Sequence, residues 1–407
     1  MLRFAFGVFV LLTACCPLLG GADPAEVIVE VRAGEHDREG WVASVELPPA
    51  LRACRQLRLV RLDNGQATPV QVEEAGIPRA CWCVREKLPA GKTLRYRLGP
   101  ATDQPADSGG VSVTDDGKRL WVKVAGRNVL AYNHAVVPSP NPAEPYYAKS
   151  GYLHPVFSPS GQLVTDDFNP DHPHQHGIMF AWRKTTFEGR STNGWDQKSQ
   201  LGRVEHVRVV RFGGGPVFGF LSLGLRQVDL TAPGGPKPVL NLAFDVRVYN
   251  FADPFVVDLD ATHTCASQSP VVIEQIEYGG LMFRGRAEWT RNHQHDYLTS
   301  EGKTKRNGDQ SRPRWVQLYG PLEQRFLGLS VLDHPDNFRF PQPSRLAAET
   351  PYFCFAPASL GSFSIEPGKP NRARYRFLTH DGKLDSATLD RCWQAYAQPP
   401  TAVIVSP

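Results

Sequence analysis

Apolar and polar residues alternate along much of the first hundred positions of the chain. The pattern is clearest in segments 27–32, 57–62 and 93–98. Successive side chains of a β-strand point to opposite faces, so a period of two indicates strands with one face in water. We therefore predict a small β-sandwich-like domain over residues 24–105, ending in a polar stretch that contains Gly and Asp.

Strand-like segments continue beyond residue 110, and only one helix-length periodic pattern interrupts them. Short strands joined by frequent turns favour a sandwich or a large stack of antiparallel sheets. We predict an all-β protein whose main domain, residues 111–397, is a large antiparallel β-sandwich or supersandwich. The clearest strands are 120–124, 217–225, 239–249, 255–264 and 327–332.

The exception is a short helix near the C-terminus. Leu389, Cys392, Trp393 and Tyr396 recur at i, i+3, i+4 and i+7, the spacing of one helix face. Ser386 precedes them as a candidate N-cap. We expect this helix to dock on a sheet through its apolar face.

The N-terminus has the features of a targeting segment. Residues 1–22 combine a positive start at Arg3, an apolar run over 4–12 and small residues at the end, as in a signal peptide. Residues 12–15 also resemble a bacterial lipobox with Cys15 as the lipidated residue, and both interpretations stay open. The apolar run is shorter than the roughly 20 residues of a membrane span. We expect an exported protein without a transmembrane segment, which is periplasmic, extracellular or lipid-anchored.

Composition agrees with a strand-rich protein and excludes one class of partner. The chain has 36 glycines and 35 prolines, which suits many turns. Its formal net charge is +4, and positive and negative residues are interspersed. Without a block of Lys and Arg that could follow a phosphate backbone, nucleic acid is not an expected partner.

The cysteines allow two interpretations. An exported protein can form disulfides, and Cys54 lies in the same early β segment as Cys81 and Cys83, so a local bridge from Cys54 to either one is a candidate. Scattered buried thiols are the alternative. Six cysteines remain after ordinary signal cleavage: Cys54, Cys81, Cys83, Cys265, Cys354 and Cys392.

Histidines concentrate in the middle of the chain, where ten of twelve lie between His134 and His334. The densest group is His172, His174 and His176, in a loop that runs into the apolar segment 178–182. On an extended chain these three would share a face at a spacing of roughly 6.5–7 Å. Such imidazoles can act as acid and base near neutral pH, or two can converge on a metal ion. Pro173 disturbs ideal alternation, and a loop of imidazoles bonded to the backbone is the structural alternative.

Several motifs together resemble one bacterial family, that labelled "methane oxygenase PmoA", over roughly residues 115–382. The motifs are His154-Pro155, 171–177, 180–182, 278–284, 299–303, Arg314-Trp315, 333–335 and Tyr352-Phe353. In this family the histidine motif has two adjacent histidines where the chain has His174 and Gln175, and His176 fits a variable position. If the second histidine is a metal ligand there, Gln175 weakens a metal role here. The resemblance implies a secreted protein of carbohydrate utilisation.

We accordingly predict an exported enzyme that acts on a carbohydrate or related glycan by histidine acid–base chemistry, as a lyase, epimerase or hydrolase. Segments 300–303 and 314–315 would face the histidine motif as the opposite wall of one site. At most one of Asp166 and Asp167 would take part, because adjacent strand residues face opposite ways. No cofactor and no metal ligand are assigned. The predicted catalytic residues are His172, His174, His176 and Glu301. The predicted substrate-binding residues are His154, Asp171, Trp182, Arg284, Lys303, Arg314, Trp315 and His334.

Two other functions stay open at this stage. A metal-dependent oxygenase or hydrolase would agree with the family label. A non-enzymatic glycan-binding protein of the envelope would bind its ligand through aromatic side chains and release no product.

Overall fold

A computed structural model describes residues 26–54, 56–74, 76–101 and 109–405. The signal peptide and lipobox predicted within residues 1–22 lie outside the described residues. Within these ranges the protein is built from β-strands that all pair antiparallel, so the predicted all-β sandwich class is confirmed. No helix in these same ranges is long and apolar enough to cross a membrane.

The strands and helices are numbered in chain order. The first seven strands are β1 (Val27–Arg32), β2 (Trp41–Glu46), β3 (Leu57–Arg61), β4 (Ala67–Thr68), β5 (Gln71–Glu73), β6 (Arg79–Val84) and β7 (Thr93–Pro100). Next come β8 (Val111–Asp115), β9 (Arg119–Val124), β10 (Arg127–Asn133), β11 (Tyr152–Val156), β12 (Ile178–Ala181), β13 (Thr185–Phe187), β14 (Arg190–Thr192), β15 (Gly202–Gly213), β16 (Phe218–Asp229), β17 (Lys237–Tyr249), β18 (Phe255–Cys265), β19 (Val271–Ile273) and β20 (Gly280–Arg284). The remainder are α1 (Ala287–Asn292), β21 (Asp296–Thr299), β22 (Trp315–Leu322), β23 (Arg325–Asp333), β24 (Ser344–Leu346), β25 (Tyr352–Phe355), β26 (Phe363–Ile365), β27 (Asn371–Asp381), α2 (Ser386–Ala397) and β28 (Thr401–Val405).

The N-terminal unit has two sheets around its own apolar core. Their strand orders are β28-β1-β7-β3-β4 and β2-β6-β5. Trp41, Trp82 and Tyr96 are fully buried in that core, as the alternating pattern requires. The chain returns to this unit at its end, because β28 pairs with β1 over Ile28↔Val405 to Arg32↔Thr401. The main domain predicted from the sequence ended at residue 397, so the prediction did not include this strand.

The main body has two eight-stranded sheets with a large apolar core. The first sheet, here called the loop sheet, has the order β24-β25-β20-β12-β11-β10-β9-β8. The second, the long sheet, has the order β15-β16-β17-β18-β27-β23-β22-β21. A smaller sheet has the order β14-β13-β19-β26. Alternate residues of the long strands face the common core, and the intervening ones face outward.

Two local expectations need correction. The N-cap of α2 is Asp385 rather than Ser386, because the Asp385 side chain accepts a hydrogen bond from the Thr388 N–H at 2.7 Å. The six cysteines in the described ranges are all unpaired, so the expected bridge from Cys54 is wrong. The physical reason is that side chains of β6 alternate between the two faces of its sheet. Cys81 and Cys83 face the apolar cluster that includes α2, whereas Cys54 packs on the core of the N-terminal unit.

Candidate active site at the histidine loop

The histidine loop, residues 166–177, connects β11 to β12 in the loop sheet and is fixed at both ends by backbone hydrogen bonds. The Asp166 N–H donates to the Arg284 carbonyl at 3.2 Å, and the Arg284 N–H donates to the Gly177 carbonyl at 2.7 Å. Gly177 has a φ of +34°, and a Cβ at this position would lie 2.1 Å from the Leu153 carbonyl oxygen. Only glycine therefore lets the chain enter β12 this close to β11.

The loop itself is turned, not extended as the spacing of the histidines predicts. The His172 N–H donates to the Asn169 carbonyl, and the Gln175 N–H donates to the His172 carbonyl, both at 2.9 Å. Pro173 lies inside the second turn, where its fixed φ suits a turn better than a strand. The rings of His172 and His174 stay neighbours, with centroids 5.6 Å apart, while His176 points into the protein.

His176 is fully buried, so the predicted catalytic contact with a substrate is corrected to a positioning role. Its Nδ1 lies 2.6 Å from Asp167 Oδ1, and the Tyr152 hydroxyl donates to Asp167 Oδ2 at 2.7 Å. Burial lowers the pKa of His176, although the Asp167 carboxylate opposes this shift. A neutral ring that donates from Nδ1 to Asp167 fits these contacts and ties the loop to β11.

Arg284 is also fully buried and binds the histidine loop from the interior of the protein. Its predicted role in substrate binding is therefore corrected to support of the loop. One guanidinium nitrogen donates to both oxygens of Asp171 at 2.8 and 3.0 Å, and another donates to Gln175 Oε1 at 2.8 Å. Burial alone would raise the pKa of Asp171, but bonds from His172 and Arg284 lower it to about 2. Gln175 thus supplies an acceptor for a buried cation.

His174 is the histidine of this loop that is both accessible and strongly perturbed. Its side chain is 19% exposed, and its Nδ1 lies 3.9 Å from Asp196 Oδ1. Burial lowers the pKa of His174 to about 4, and the Asp196 carboxylate counteracts part of this shift. The imidazole is therefore neutral at pH 7 and can accept a proton, with a carboxylate nearby to stabilise the resulting cation.

Asp196 is a site residue that the sequence analysis missed. It caps a single helical turn, because its Oδ1 accepts from the Lys198 N–H at 3.0 Å. The Asn193 side chain in turn accepts from the backbone N–H of Asp196 at 3.0 Å. The sequence 193–198 shows this pattern of Asx residues before a turn, but nothing in it points to a histidine at position 174.

Two tyrosines and one arginine lie near enough to the His174–Asp196 pair for their charges to interact. The hydrogen bond to Glu144 raises the pKa of Tyr146, burial raises the pKa of Tyr147, and the Asp196 carboxylate adds to both shifts; the two rings lie 4.7 Å apart. Burial first and Arg183 to a lesser extent lower the pKa of His174, and Arg183 Nε donates to the Tyr278 hydroxyl at 3.2 Å.

The pattern of one protein family matches residues 119–394, and that family is described as "Family of unknown function (DUF6807)". The chain belongs to this DUF6807 family. The match assigns no activity, so the resemblance to the family labelled methane oxygenase remains a prediction. A comparison with curated proteins gave no match.

Solved structures resemble this DUF6807 protein only distantly. A glycosyl hydrolase family 38 protein from Enterococcus faecalis is 9% identical, with a TM-score of 0.48, over 95% of this chain and 48% of that chain. An alpha-mannosidase from Enterococcus faecalis V583 is 9% identical, with a TM-score of 0.44, over 95% and 46%. A galactose mutarotase related enzyme from Lactobacillus acidophilus is 9% identical, with a TM-score of 0.28, over 67% and 100%. The chain spans about half the length of the first two, and likenesses this weak carry no argument about chemistry.

The predicted opposite wall of the site is wrong for two of its residues, because Arg314 and Trp315 face α2. Arg314 donates to Asp390 at 3.1 Å and lies over the Trp393 ring at 4.7 Å. The buried Trp315 indole donates to the same carboxylate at 2.9 Å. Their predicted contact with substrate is therefore replaced by a structural role.

Glu301 and Lys303 form an ion pair of 3.3 Å with each other, and both side chains are more than a third exposed. They lie in the turn between β21 and β22. Over the described ranges, no hydrogen bond or ion pair connects either residue to the histidine loop. Their predicted roles as companion acid and substrate ligand have no support in these contacts.

The remaining predicted residues lie in three places. His154 is beside the loop, with Nδ1 3.0 Å from Thr165 Oγ1. Trp182 is buried against Phe180 and His263, which makes it a core residue rather than a sugar platform. His334 packs against Tyr396 of α2, at a separate cleft described below.

The histidine loop does not have the arrangement of a metal centre. In the part of the chain that the structure describes, no group of three His, Cys, Asp or Glu side chains is placed to hold a metal ion. A structural zinc site in a protein uses four ligands and a catalytic one typically three. The metal-dependent oxygenase or hydrolase stays a prediction.

Proposed function

We propose that this DUF6807 protein is an exported enzyme that acts on a carbohydrate or related polyhydroxylated compound, with His174 as the general base. The observation that carries the proposal is an accessible, neutral imidazole paired with a carboxylate, on a loop held by the buried side chains of Arg284 and His176. Accessible groups with perturbed pKa values on a rigid support are typical of catalytic sites.

The neutral His174 and the charged Asp196 together suit a proton transfer. His174 would accept a proton from a substrate carbon or hydroxyl group, and Asp196 would stabilise the imidazolium that forms. His172, whose ring lies beside His174, would donate a proton to the reacting group. Such an exchange suits epimerisation or elimination at a sugar carbon.

The substrate class rests on two supports. Tyr146 is partly exposed near Asp196, and tyrosine rings offer the apolar C–H face of a sugar both contact area and a hydroxyl. The resemblance to a family of secreted carbohydrate-utilisation proteins points the same way. We also propose that residues 1–22 direct the export of the protein.

The test is a product screen of the purified protein on sugars and glycans, followed by kinetics of His174→Gln. We expect kcat to fall about 100- to 10,000-fold, with a smaller change in KM, because a general base acts in the chemical step. His293→Gln is the matched control, since His293 is exposed and bonds to the Glu349 carbonyl. Wild-type turnover that survives in His174→Gln would remove His174 from catalysis.

A further inference from the structure

A concave surface lies away from the histidine loop, between the N-terminal unit and the long sheet. This cleft has a volume of about 850 Å³. Its floor is the outward face of the long sheet, and its walls come from β2 and β5 on one side and the end of α2 on the other. Pockets for small ligands are typically roughly 300–1,000 Å³, so the cleft has the size of a binding site.

The floor consists of two rows of side chains that cross four neighbouring strands. They arise because outward and core-facing residues alternate along β16, β17, β18 and β27. The first row is Phe220, Arg247, Asp258 and Arg376. The second row is Ser222, Asp245, Asp260 and Arg374.

The charges of the first row are mutually satisfied. Arg376 donates to both oxygens of Asp258 at 2.6 and 2.8 Å, and its guanidinium lies over the rings of Tyr249 and Tyr396. Arg247 pairs with Glu73 of the N-terminal unit. This row therefore forms a rigid support that connects the two walls of the cleft.

The charges of the second row are only partly paired. Asp245 and Asp260 stand directly opposite each other on adjacent strands, and like charges in this arrangement destabilise a sheet. Asp260 is paired with Arg372. Asp245 is exposed, and none of the hydrogen bonds or ion pairs of the described residues involves its side chain. The row thus keeps a carboxylate free to accept hydrogen bonds from a ligand.

The balance of charges indicates the class of ligand. The cleft is lined by five arginines and six aspartates and glutamates, so it has no large excess of either sign to attract an ion. It instead offers many acceptors and donors beside the partly exposed ring of Phe220, of which Arg211 covers one face at 5.0 Å and leaves the other for a ligand. Hydroxyl groups can use both acceptors and donors, and a sugar ring can pack on an aromatic face.

We propose that this cleft binds a neutral oligosaccharide whose hydroxyl groups donate to Asp245 and Asp260 and whose ring packs on Phe220. The site is separate from the histidine loop and does not depend on its chemistry. It would hold a glycan chain without transforming it.

The test is calorimetric titration of the full-length protein with neutral hexasaccharides of glucose, mannose, xylose and N-acetylglucosamine, alongside an acidic oligogalacturonate. We expect at least one neutral sugar to bind, and Asp245→Asn and Phe220→Ala each to weaken it about tenfold or more. Phe212→Ala is the matched control, because Phe212 is an exposed aromatic of the adjacent strand β15 that does not line the cleft. His174→Gln should bind as the wild type does, which separates this test from that of the histidine loop.

Three outcomes would overturn the proposal. The first is that no neutral hexasaccharide binds while the protein is folded by circular dichroism. The second is that a sugar binds but neither cleft variant weakens it more than Phe212→Ala. The third is preferential binding of the oligogalacturonate, which would mean that the cleft selects anions.

Discussion

The histidine loop and the cleft are built in opposite ways. The loop takes its shape from buried polar groups, since Arg284 and His176 hold it from within and leave His174 at the surface. The cleft floor takes its shape from the regular sheet, and its charged side chains stand on the outward face of strands that are buried on the other side. Substitutions at the supports of the loop should therefore cost stability, whereas substitutions in the unpaired part of the cleft should not.

The largest effect is expected for Arg284→Met. This change leaves the Asp171 carboxylate and the Gln175 amide oxygen without their shared donor. Each acceptor that loses its donor costs about 1–3 kcal/mol, and because Asp171 is partly exposed we expect the free energy of unfolding in urea to fall by about 2–5 kcal/mol in all. Arg291→Ala is the control, because Arg291 is 72% exposed and its pair with Glu288 contributes little. Equal stability of the two variants would show that the loop does not depend on Arg284.

Acid should destabilise the protein well before its surface carboxylates titrate. Burial lowers the pKa of eight histidines below the ordinary value of about 6.5, so the unfolded chain binds protons that the folded protein does not, and stability falls as the pH drops from about 6.5 towards 4. For five of these histidines the pKa is lowered to about 3, at His263, or to about 4, at His174, His206, His334 and His380.

Asp333 acts in the opposite direction, because burial raises its pKa to about 7 and its stabilising contribution is lost as the pH rises. After this offset, we expect a net loss of stability between pH 7 and pH 5, measured by urea unfolding, because more histidines than carboxylates shift over this range. His174→Gln should make the loss smaller. A stability that is level or rises towards pH 5 would contradict the buried, neutral state of these imidazoles.

A smaller effect is expected for Tyr152→Phe, which removes one hydrogen bond from Asp167 and keeps the ring. The lost bond to a charged acceptor should cost about 1.5–3 kcal/mol in unfolding free energy. The pKa of His174 should change little, because Tyr152 acts on His176. A shift of the His174 titration as large as the one caused by Asp196→Asn would contradict this separation of roles.

The smallest effect, and one of opposite sign, is expected for Asp245→Asn. Removing a charge that stands opposite Asp260 should stabilise the long sheet by about 0.2–1 kcal/mol. Ser222→Ala, in the same row, serves as the control for a polar residue without charge. Destabilisation by Asp245→Asn would indicate a favourable contact of Asp245 and would remove the contrast between the two regions.

The sequence predicted these two regions unequally. Strand alternation predicted the all-β architecture, and the histidine loop was found because its residues are contiguous. Asp196 was missed, since its partner His174 is brought close by tertiary structure alone. Arg284 and Trp182 were taken for ligand-binding residues because a sequence does not reveal burial.

The cleft was missed for a related reason. Its rows use alternate residues from four strands between β16 and β27, and none of these strands carries a motif by itself. Charged residues alternate with apolar ones at positions 245 and 247, 258 and 260, and 372, 374 and 376, which indicates a charged outward face but not a cleft. Cross-strand register, which pairs Asp245 with Asp260, depends on the folded sheet.

The central claim is that the histidine loop presents a neutral imidazole beside a carboxylate at pH 7. Its most direct test is an NMR titration of the histidine side chains, with His174→Gln used to assign the resonance. We predict that His174 titrates at about pH 4 because its ring is largely buried. A pKa above 7 would contradict the claim, since the ring would then be mainly cationic at pH 7.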